Sequence, residues 1–220
     1  MLTALFDFDG CLADTKNVHI AAWERAFGEV GWEVAPEEAA ETAEIDDRAF
    51  LRKFFAKRKL ADAQVNFEAW LDRKKRIALQ ILQDSPRLQH GVVRLIQALR
   101  DSGAVRLAVV STSHRANIET VLKAHGLLDA FELIIAKEDV VAVKPDPEGY
   151  SLAVERLSAD PEQTVVIEDS PTGLAAARAA GLRVIAVGHD RPQGEWCGDA
   201  PYLPDFRDLD AALRVIGLAG

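Results

Sequence analysis

Two aspartates, Asp7 and Asp9, lie at the end of an apolar run that spans residues 2–8. Such a run predicts a strand buried on both faces, and alternate side chains of a strand project to the same side. Neighbouring carboxylates repel each other unless a cation or a shared proton compensates their charge. The pair therefore predicts a divalent metal or two separated pKa values. Gly10 permits a sharp turn, and an ordinary turn is the alternative interpretation of these residues taken alone.

Three later apolar runs are also followed directly by polar residues. They are residues 105–110 before Ser111, Thr112 and Ser113, residues 164–167 before Glu168, Asp169 and Ser170, and residues 140–143 before Lys144. The runs 105–110 and 164–167 lead into helical patterns at 114–125 and 172–180, and alternation of strand and helix predicts a parallel sheet. Ligands of such a sheet bind beyond the carboxyl ends of its strands. We therefore expect the four polar clusters to meet there.

The combined residues suit a phosphoryl group. A metal held by Asp7 and Asp169, with or without Glu168, supplies positive charge, and the ammonium of Lys144 supplies more. Ser111 offers a hydroxyl beside the backbone N–H groups of a predicted helix start. The metal ligands are all oxygens, without histidine or cysteine, and this donor set favours Mg²⁺ over Zn²⁺.

A carboxylate can also attack phosphorus directly. The attack forms an aspartyl phosphate, while a second carboxylate protonates the leaving alcohol and later activates water. Asp7 suits the first role and Asp9 the second. The sequence therefore predicts phosphoryl transfer through a covalent intermediate.

The four clusters resemble the four motifs of the haloacid dehalogenase superfamily, in the same order. The matching residues are Asp-Phe-Asp-Gly at 7–10, Ser-Thr-Ser at 111–113, Lys144 before Pro-Asp-Pro, and Glu-Asp-Ser at 168–170. The stretch 165–187 is similar to the β-phosphoglucomutase and sugar-phosphatase branch, and the resemblance extends from residue 1 to about 215. It implies an α/β fold, with a Rossmann-like parallel-sheet core and a small inserted helical cap.

The candidate site residues fall into three groups. The expected catalytic residues are Asp7, Asp9 and Lys144. The expected phosphate-binding or substrate-binding residues are Ser111, Thr112, Lys144, Thr15, His19 and Trp23. The expected Mg²⁺ ligands are Asp7, Asp9, Glu168 and Asp169, with direct or water-mediated binding by Glu168 left open.

The cap is expected at residues 15–85, and the core at 1–14 and 86–220. Residues 17–30, 47–59 and 65–83 have the apolar spacing of helices, and no convincing alternating strand occurs in the segment. Hinges near Asp14-Thr15 and Ser85-Pro86 would allow the cap to close and exclude bulk water.

Within the cap, His19 and Trp23 are four residues apart and should share one helix face. In the resembled branch such residues line the interface between cap and core, so Thr15, His19 and Trp23 could help to orient Asp9; simple interface packing is the alternative. The basic run 73–76 is typical of a solvated helix face, although its lysines could also reach a distal substrate group.

One departure from the resembled branch favours hydrolysis. Its mutases carry a Gly-x-Ser-Arg-like loop that grips a second phosphate, whereas residues 44–48 here are Glu-Ile-Asp-Asp-Arg. Three carboxylates would repel a second phosphate, although they could bind sugar hydroxyls or an amine. We therefore expect a phosphomonoester hydrolase that acts on a sugar, polyol or glycolate phosphate, with a β-phosphoglucomutase-like mutase as the alternative.

Composition and the motifs oppose several other classes of protein. The net charge of −9 over 220 residues opposes nucleic-acid binding, and no apolar run reaches the roughly 18 residues of a membrane span. Without a signal-like N-terminus, a cytoplasmic location is expected. Cys11 and Cys197 have neither disulfide-framework nor zinc spacing, and Cys11 is expected to be a small filler rather than a nucleophile. A dehalogenase would need neither Asp9 nor a metal, and a receiver domain would have its motifs in another order.

Overall fold

The computed structural model of the protein describes residues 1–42, 45–189 and 191–218. The chain divides into two compact units. Residues 1–14 and 87–220 form the first, called here the core unit, and residues 15–86 form the second, called the inserted unit.

The core unit is built on a sheet in which all neighbouring strands run parallel. Its strands in chain order are β1 (Leu2–Phe6), β2 (Val105–Val110), β3 (Leu133–Ile135), β4 (Thr164–Glu168), β5 (Arg183–Val187) and β6 (Tyr202–Leu203). Their spatial order is β3-β2-β1-β4-β5-β6. This is the α/β architecture with a Rossmann-like parallel sheet that the sequence predicts.

The α-helices of the described chain, in order, are α1 (Lys16–Gly28), α2 (Pro36–Glu41), α3 (Asp47–Lys57), α4 (Phe67–Asp84), α5 (Val92–Asp101), α6 (Arg115–Ala124), α7 (Glu148–Leu157), α8 (Pro171–Ala179) and α9 (Leu209–Ile216). The predicted helices at 114–125 and 172–180 are confirmed as α6 and α8. No helix in the described ranges has the length and apolar character needed to cross a membrane.

Strand register places three strand ends side by side. Phe6 of β1 is level with Val109 of β2 and with Ile167 of β4. The strand order changes direction at β1, because β2 and β3 extend the sheet on one side and β4 extends it on the other. Such a switch point leaves a crevice beyond the carboxyl ends of the strands. The polar residues that follow β1, β2 and β4 therefore share one edge.

One local expectation was wrong. The strand predicted over residues 2–8 ends at Phe6, because the chain turns immediately afterwards: Leu12 and Ala13 both donate their N–H groups to the carbonyl of Phe8. The apolar run 140–143 is irregular and lies between a short 3-10 turn and α7. Its apolar character does not reflect burial, because Val141 is 98% exposed.

The inserted unit is held together by aromatic packing. Phe27 of α1 stacks on Phe54 of α3 with ring centroids 3.8 Å apart, and Trp70 of α4 lies 4.6 Å from the same ring. Trp23 stacks on Phe27 at 5.4 Å. Each fully buried large side chain stabilises the fold by about 1.5–3 kcal/mol, so this small unit has a substantial core of its own.

The helices of the inserted unit agree closely with those predicted from the sequence. The predictions at 17–30, 47–59 and 65–83 are confirmed as α1, α3 and α4, with ends that differ by two residues or fewer. The helix α2 was not predicted. Its six residues include three glutamates and lack an apolar stripe long enough to show helical periodicity.

Glu38 on α2 is a testable stabilising residue of the inserted unit. Its buried carboxylate accepts hydrogen bonds from Arg58 at 3.0 and 3.1 Å and from the N–H of Ala35 at 3.1 Å. These bonds, chiefly those from Arg58, lower the pKa of Glu38 from 4.5 to about 2. Because its pKa is lower in the folded state, its stabilisation is complete above pH 4.5 and disappears as the pH falls toward 2.

We therefore expect Glu38→Gln to destabilise the full chain by about 2 kcal/mol at pH 7, because hydrogen bonds to a charged group are lost. The difference from wild type should shrink between pH 4.5 and 2. Urea unfolding of both proteins across this pH range measures it. A difference that is constant with pH would contradict the assignment of Glu38 as the titrating group.

Both ends of the inserted unit leave the core unit at one place. The N–H of Asp14 donates to the carbonyl of Arg87 at 3.1 Å, and the N–H of Gln89 donates to the carbonyl of Leu12 at 2.9 Å. Ala13 and Leu88 form an antiparallel bridge between these bonds. The outgoing and returning chains are therefore neighbours, joined within the core unit.

Candidate active site

Lys144 joins three of the strand ends. Its Nζ lies 2.5 Å from Asp7 Oδ1, 2.6 Å from Glu168 Oε1 and 2.9 Å from the carbonyl oxygen of Val110. An ammonium has three N–H donors, so all three are used. Burial disfavours the charged form, but the carboxylates of Asp7 and Glu168 hold the pKa of Lys144 well above its usual value. Lys144 is therefore a buried and fixed positive charge.

Asp7 directly follows β1, and its N–H donates to the carbonyl of Ile167 at 3.0 Å. Burial raises the pKa of its carboxyl well above the usual value; Lys144 opposes this shift, whereas Glu168 and Asp169 add to it. A carboxylate in this place thus needs more positive charge than Lys144 alone supplies.

Asp169 supplies an unsatisfied oxygen to the same edge. Its buried Oδ1 has no hydrogen-bond partner among the residues that the structure describes. Burial and the neighbouring Glu168 carboxylate raise its pKa to about 8. Gly10 makes room for this side chain, because a Cβ at position 10 would lie 2.2 Å from Asp169 Oδ2. A buried carboxylate oxygen without a hydrogen-bond partner is suited to bind a cation or a proton.

These carboxylates fit a magnesium ion. Single oxygens of Asp7, Glu168 and Asp169 lie within 4.8 Å of one another. All three are hard oxygen donors, and a dication would relieve the repulsion that raises the pKa values of Asp7 and Asp169. The carboxylate of Asp9 does not belong to this group within the described ranges. The predicted ligands Asp7, Glu168 and Asp169 are therefore brought together.

Asp9 instead meets the residues that follow β2. Ser111 Oγ donates to Asp9 Oδ2 at 3.2 Å and accepts a hydrogen bond from the N–H of Ser113 at 2.9 Å. Ser111 is buried and Thr112 is exposed. The predicted acid–base residue and the predicted phosphate-binding hydroxyl are therefore direct neighbours.

The turn after Asp9 is held by residues that the sequence did not indicate. Gln89 Nε2 donates to the carbonyl of Gly10 at 3.1 Å, and His189 Nε2 lies 3.0 Å from the carbonyl oxygen of Cys11. Both come from distant parts of the chain, so no local pattern could identify them. Burial raises the pKa of the Cys11 thiol well above its usual value, which keeps it protonated and agrees with a filler role.

The predicted cap residues form a polar cluster inside the inserted unit. Lys74 Nζ donates to Asp47 Oδ2 at 3.0 Å and lies 2.8 Å from His19 Nδ1. Trp23 Nε1 donates to Asp47 Oδ1 at 3.1 Å. Lys74 is only 6% exposed, so the expectation of a solvated helix face for residues 73–76 was wrong at this position. Thr15 is also buried and directly precedes α1.

The described residues of the acidic stretch 44–48 have partners within the inserted unit. Asp46 caps the N-terminus of α3, because its Oδ1 accepts hydrogen bonds from the N–H groups of Arg48 and Ala49 at 2.9 and 3.1 Å. Arg48 pairs with Glu68. Burial would raise the pKa of Asp47, but Lys74 outweighs this effect and lowers it. Glu44, the first carboxylate of the predicted loop, lies outside the described residues.

Gly173 offers a sharp test of packing around the site. A Cβ at this position would lie 1.7 Å from Glu168 Oε1, which is far inside contact distance. We expect Gly173→Ala to displace Glu168 and Lys144, to lower kcat at least about 100-fold and to destabilise the protein by about 1–3 kcal/mol. Phosphate release and urea unfolding measure the two effects.

The matched control for this change is Gly28→Ala at the end of α1. A Cβ there would meet no described atom within 4 Å. Alanine is favoured over glycine in a helix by roughly 0.5–1 kcal/mol, so this variant should be stabilised with unchanged kcat. Equal changes of kcat and of unfolding free energy in the two variants would contradict the steric argument.

Comparison with known proteins agrees with the geometry. The family model for haloacid dehalogenase-like hydrolases matches residues 4–187. Protein CbbY of Rhodobacter capsulatus is 32% identical over 218 residues, which cover 92% of each chain. Validoxylamine A 7'-phosphate phosphatase of Streptomyces hygroscopicus subsp. limoneus is 34% identical over 192 residues, or 84% of each chain.

A crystal structure gives the same result. A mutant of CbbY from Rhodobacter sphaeroides, in complex with xylulose-(1,5)bisphosphate, matches with a TM-score of 0.82 and 30% identity. The match covers 95% of this chain and 96% of that chain. The chain therefore belongs to the haloacid dehalogenase-like hydrolases, in the branch that includes the β-phosphoglucomutases and sugar phosphatases.

Proposed function

We propose that this hydrolase is a magnesium-dependent phosphomonoesterase that acts on a small phosphorylated metabolite through an aspartyl phosphate at Asp7. The observation that carries the proposal is the buried ammonium of Lys144, 2.5 Å from Asp7 Oδ1. A carboxylate and a phosphate dianion repel each other, and a fixed cation beside the attacking oxygen reduces this repulsion without reorganisation.

Asp7 acts as the nucleophile. One of its carboxylate oxygens attacks phosphorus, the ester P–O bond breaks, and its electron pair stays on the leaving oxygen. Asp9 gives a proton to that oxygen, so an alcohol leaves and Asp7 carries the phosphoryl group. In the second half, Asp9 takes a proton from water as the water attacks phosphorus. The bond to Asp7 then breaks and orthophosphate is released.

Other residues of the core unit support these steps. Ser111, which is hydrogen-bonded to Asp9 at 3.2 Å, would bind a phosphate oxygen together with the backbone N–H groups before α6. The exposed hydroxyl of the adjacent Thr112 is a second candidate donor to the phosphate. A bound Mg²⁺ would be held by Asp7, Glu168 and Asp169, with Asp9 as a further candidate ligand, and would supply positive charge for the phosphate oxygens.

The inserted unit favours hydrolysis over a mutase reaction. A mutase of this branch would need a cation for a second phosphate, but Arg48 is paired with Glu68. Asp47 is held by Lys74 and Trp23 with its side chain 29% exposed, which suits a sugar or polyol hydroxyl better than a second phosphate. We therefore assign this cluster, with His19, to substrate selection.

This chemistry and the printed functions of two relatives support one substrate class. The Streptomyces relative is a validoxylamine A 7'-phosphate phosphatase. The CbbY mutant from Rhodobacter sphaeroides was crystallised with xylulose-(1,5)bisphosphate. Both compounds are phosphorylated and rich in hydroxyl groups. We propose a sugar, polyol or glycolate phosphate for this chain, with hydroxyl-rich substrates preferred.

The test is phosphate release from a panel of sugar, polyol, glycolate and nucleotide monophosphates and one aryl phosphate, with Mg²⁺ and with EDTA. Magnesium-dependent release that favours sugar or polyol phosphates would support the proposal. Rates no better than the aryl phosphate would refute the role of the Asp47 cluster. Interconversion of hexose monophosphates upon addition of a bisphosphate, without release, would establish the mutase alternative instead.

A further inference from the structure

Asp9 lies in a tight turn that spans residues 8–13. The turn is closed from inside, because the carbonyl of Phe8 accepts hydrogen bonds from the N–H groups of Leu12 and Ala13 at 3.0 and 2.8 Å. The three carbonyls that follow Asp9 have their partners elsewhere in the core unit. The position of this turn therefore depends on residues that are distant in sequence.

Two residues supply these external partners. Gln89 binds the turn twice: its side-chain Nε2 donates to the carbonyl of Gly10 at 3.1 Å, and its backbone N–H donates to the carbonyl of Leu12 at 2.9 Å. His189 Nε2 lies 3.0 Å from the carbonyl oxygen of Cys11. Since a carbonyl oxygen can only accept, this contact requires a hydrogen on His189 Nε2.

The two partners are themselves supported by one buried residue. The ring of His189 packs edge-on against Phe206, with the ring centroids 5.2 Å apart, and Phe206 is buried. Gly91 follows Gln89 by two residues, and a Cβ at position 91 would lie 2.1 Å from the carbonyl oxygen of Phe206. The chain on both sides of the turn is therefore closely packed, which restricts how far Gln89 and His189 can move.

The position of the turn matters for proton transfer. The Asp9 carboxylate accepts a hydrogen bond from Ser111 at 3.2 Å, so its side chain already lies beside the expected phosphate site. A general acid must come within about 2.6–3.2 Å of the oxygen that it protonates. A misplacement of about 1 Å can cost a factor of about 100 in rate. Movement of the backbone at Asp9 would therefore impair protonation of the leaving oxygen.

We propose that Gln89 and His189 are positioning residues for this proton transfer. They hold the three carbonyls that follow Asp9, and they thereby keep its carboxylate at the leaving oxygen without touching the reacting atoms. Asp7 precedes the turn and is held separately, because its N–H donates to a carbonyl of β4 at 3.0 Å. Attack on phosphorus should therefore depend less on these two residues. The inference rests on the proposed function, because it assumes that Asp9 is the general acid.

The experiment compares two aryl phosphates whose leaving groups differ in basicity. p-Nitrophenolate leaves as a stable anion, whereas the more basic p-methoxyphenolate gains much more from protonation. We expect Gln89→Met in the full-length protein to lower kcat/KM about 10-fold for p-methoxyphenyl phosphate and less than about 2-fold for p-nitrophenyl phosphate. Equal losses with both esters, or no loss with either, would overturn the proposal.

His189 is tested in the same assay by two substitutions. His189→Phe keeps a ring against Phe206 but removes the N–H, and it should show the same selective loss as Gln89→Met. His189→Gln carries an N–H at a similar distance from the backbone, so it should stay within about 2-fold of wild type for both esters. Equal activities of the two His189 variants would show that the hydrogen bond to Cys11 does not position the turn.

The control for lost amide donation is Gln80→Met, because Gln80 Nε2 donates to Asp84 at 3.0 Å on α4. It should leave both kcat/KM values unchanged, and urea unfolding checks the folding of every variant. Asp9→Asn is the reference, with a loss of at least about 100-fold that is larger for p-methoxyphenyl phosphate. Equal losses there would refute the acid role of Asp9 and the positioning role with it. A selective loss in Asp9→Asn but not in Gln89→Met would refute the positioning role alone.

Discussion

Asp7→Asn is expected to lower kcat for phosphate release by at least about four orders of magnitude, because an amide cannot form the acyl phosphate that hydrolysis requires. The fold should survive the change. Burial already raises the pKa of Asp7, so the protein pays little for a neutral side chain there, and Lys144 keeps its bonds to Glu168 and to the carbonyl of Val110.

The measurement is phosphate release under saturating Mg²⁺, with urea unfolding of the same preparation as the check on folding. Asp101→Asn is the matched control, since this exposed aspartate lies at the end of α5, away from the strand ends. It should retain wild-type kcat. Activity in Asp7→Asn near the wild-type level would defeat the assignment of the nucleophile and with it the covalent route.

Lys144→Met is expected to impair both stability and activity. The variant leaves the buried carboxylates of Asp7 and Glu168 without the ammonium that lies between them. Breaking a buried ion pair by removing one partner destabilises a protein by about 3–5 kcal/mol. Loss of the fixed positive charge beside the nucleophile should lower kcat by a further factor of about 10²–10³ in the folded fraction.

This prediction is checked by urea unfolding and by phosphate release under conditions in which the variant is folded. Addition of Mg²⁺ should restore part of the lost stability, because a cation that binds only the folded state shifts the equilibrium toward it. Lys123→Met, at an exposed position of α6, is the control. A Lys144→Met protein as stable as this control would show that the two carboxylates do not depend on the ammonium.

The sequence was sufficient to predict which polar residues meet. Asp7, Ser111 and Glu168 follow or end neighbouring parallel strands, and the carboxyl ends of such strands form one edge regardless of the detailed packing. Lys144 was found for a different reason. The apolar run 140–143 that singled it out is no strand, so the expectation for Lys144 held without the strand pattern, and its place in the ordered series of motifs also indicated it.

The partners that restrain these residues could not be predicted. Tyr150 is the third residue of α7 and looks like any core aromatic until the fold places its hydroxyl on Glu168. Gln89 and His189 hold the turn after Asp9 from positions far along the chain. Each of these contacts depends on side-chain direction in three dimensions, and periodicity in the sequence does not contain that information.

Prediction from the sequence has the same limit in the inserted unit. Apolar spacing predicted α1, α3 and α4, because each of those helices buries one face. The buried faces of α1 and α3 contain aromatic residues, and that of α4 contains Ala78 and Leu82. The burial of Lys74 could not be foreseen from the basic run 73–76, since it depends on a carboxylate, Asp47, that comes from another helix. Charged residues are buried only with a partner, and the partner is a tertiary feature.

The paired hydrogen bonds that join Asp14 to Arg87 and Leu12 to Gln89 have a consequence for chain entropy. Closing a loop becomes only slowly more unfavourable as the loop lengthens, and here the two ends are fixed as partners by the core unit. The length of the polypeptide between them therefore has little influence on whether the parallel sheet can form. The core fold accordingly sets almost no limit on the size of the insertion that it carries at this point.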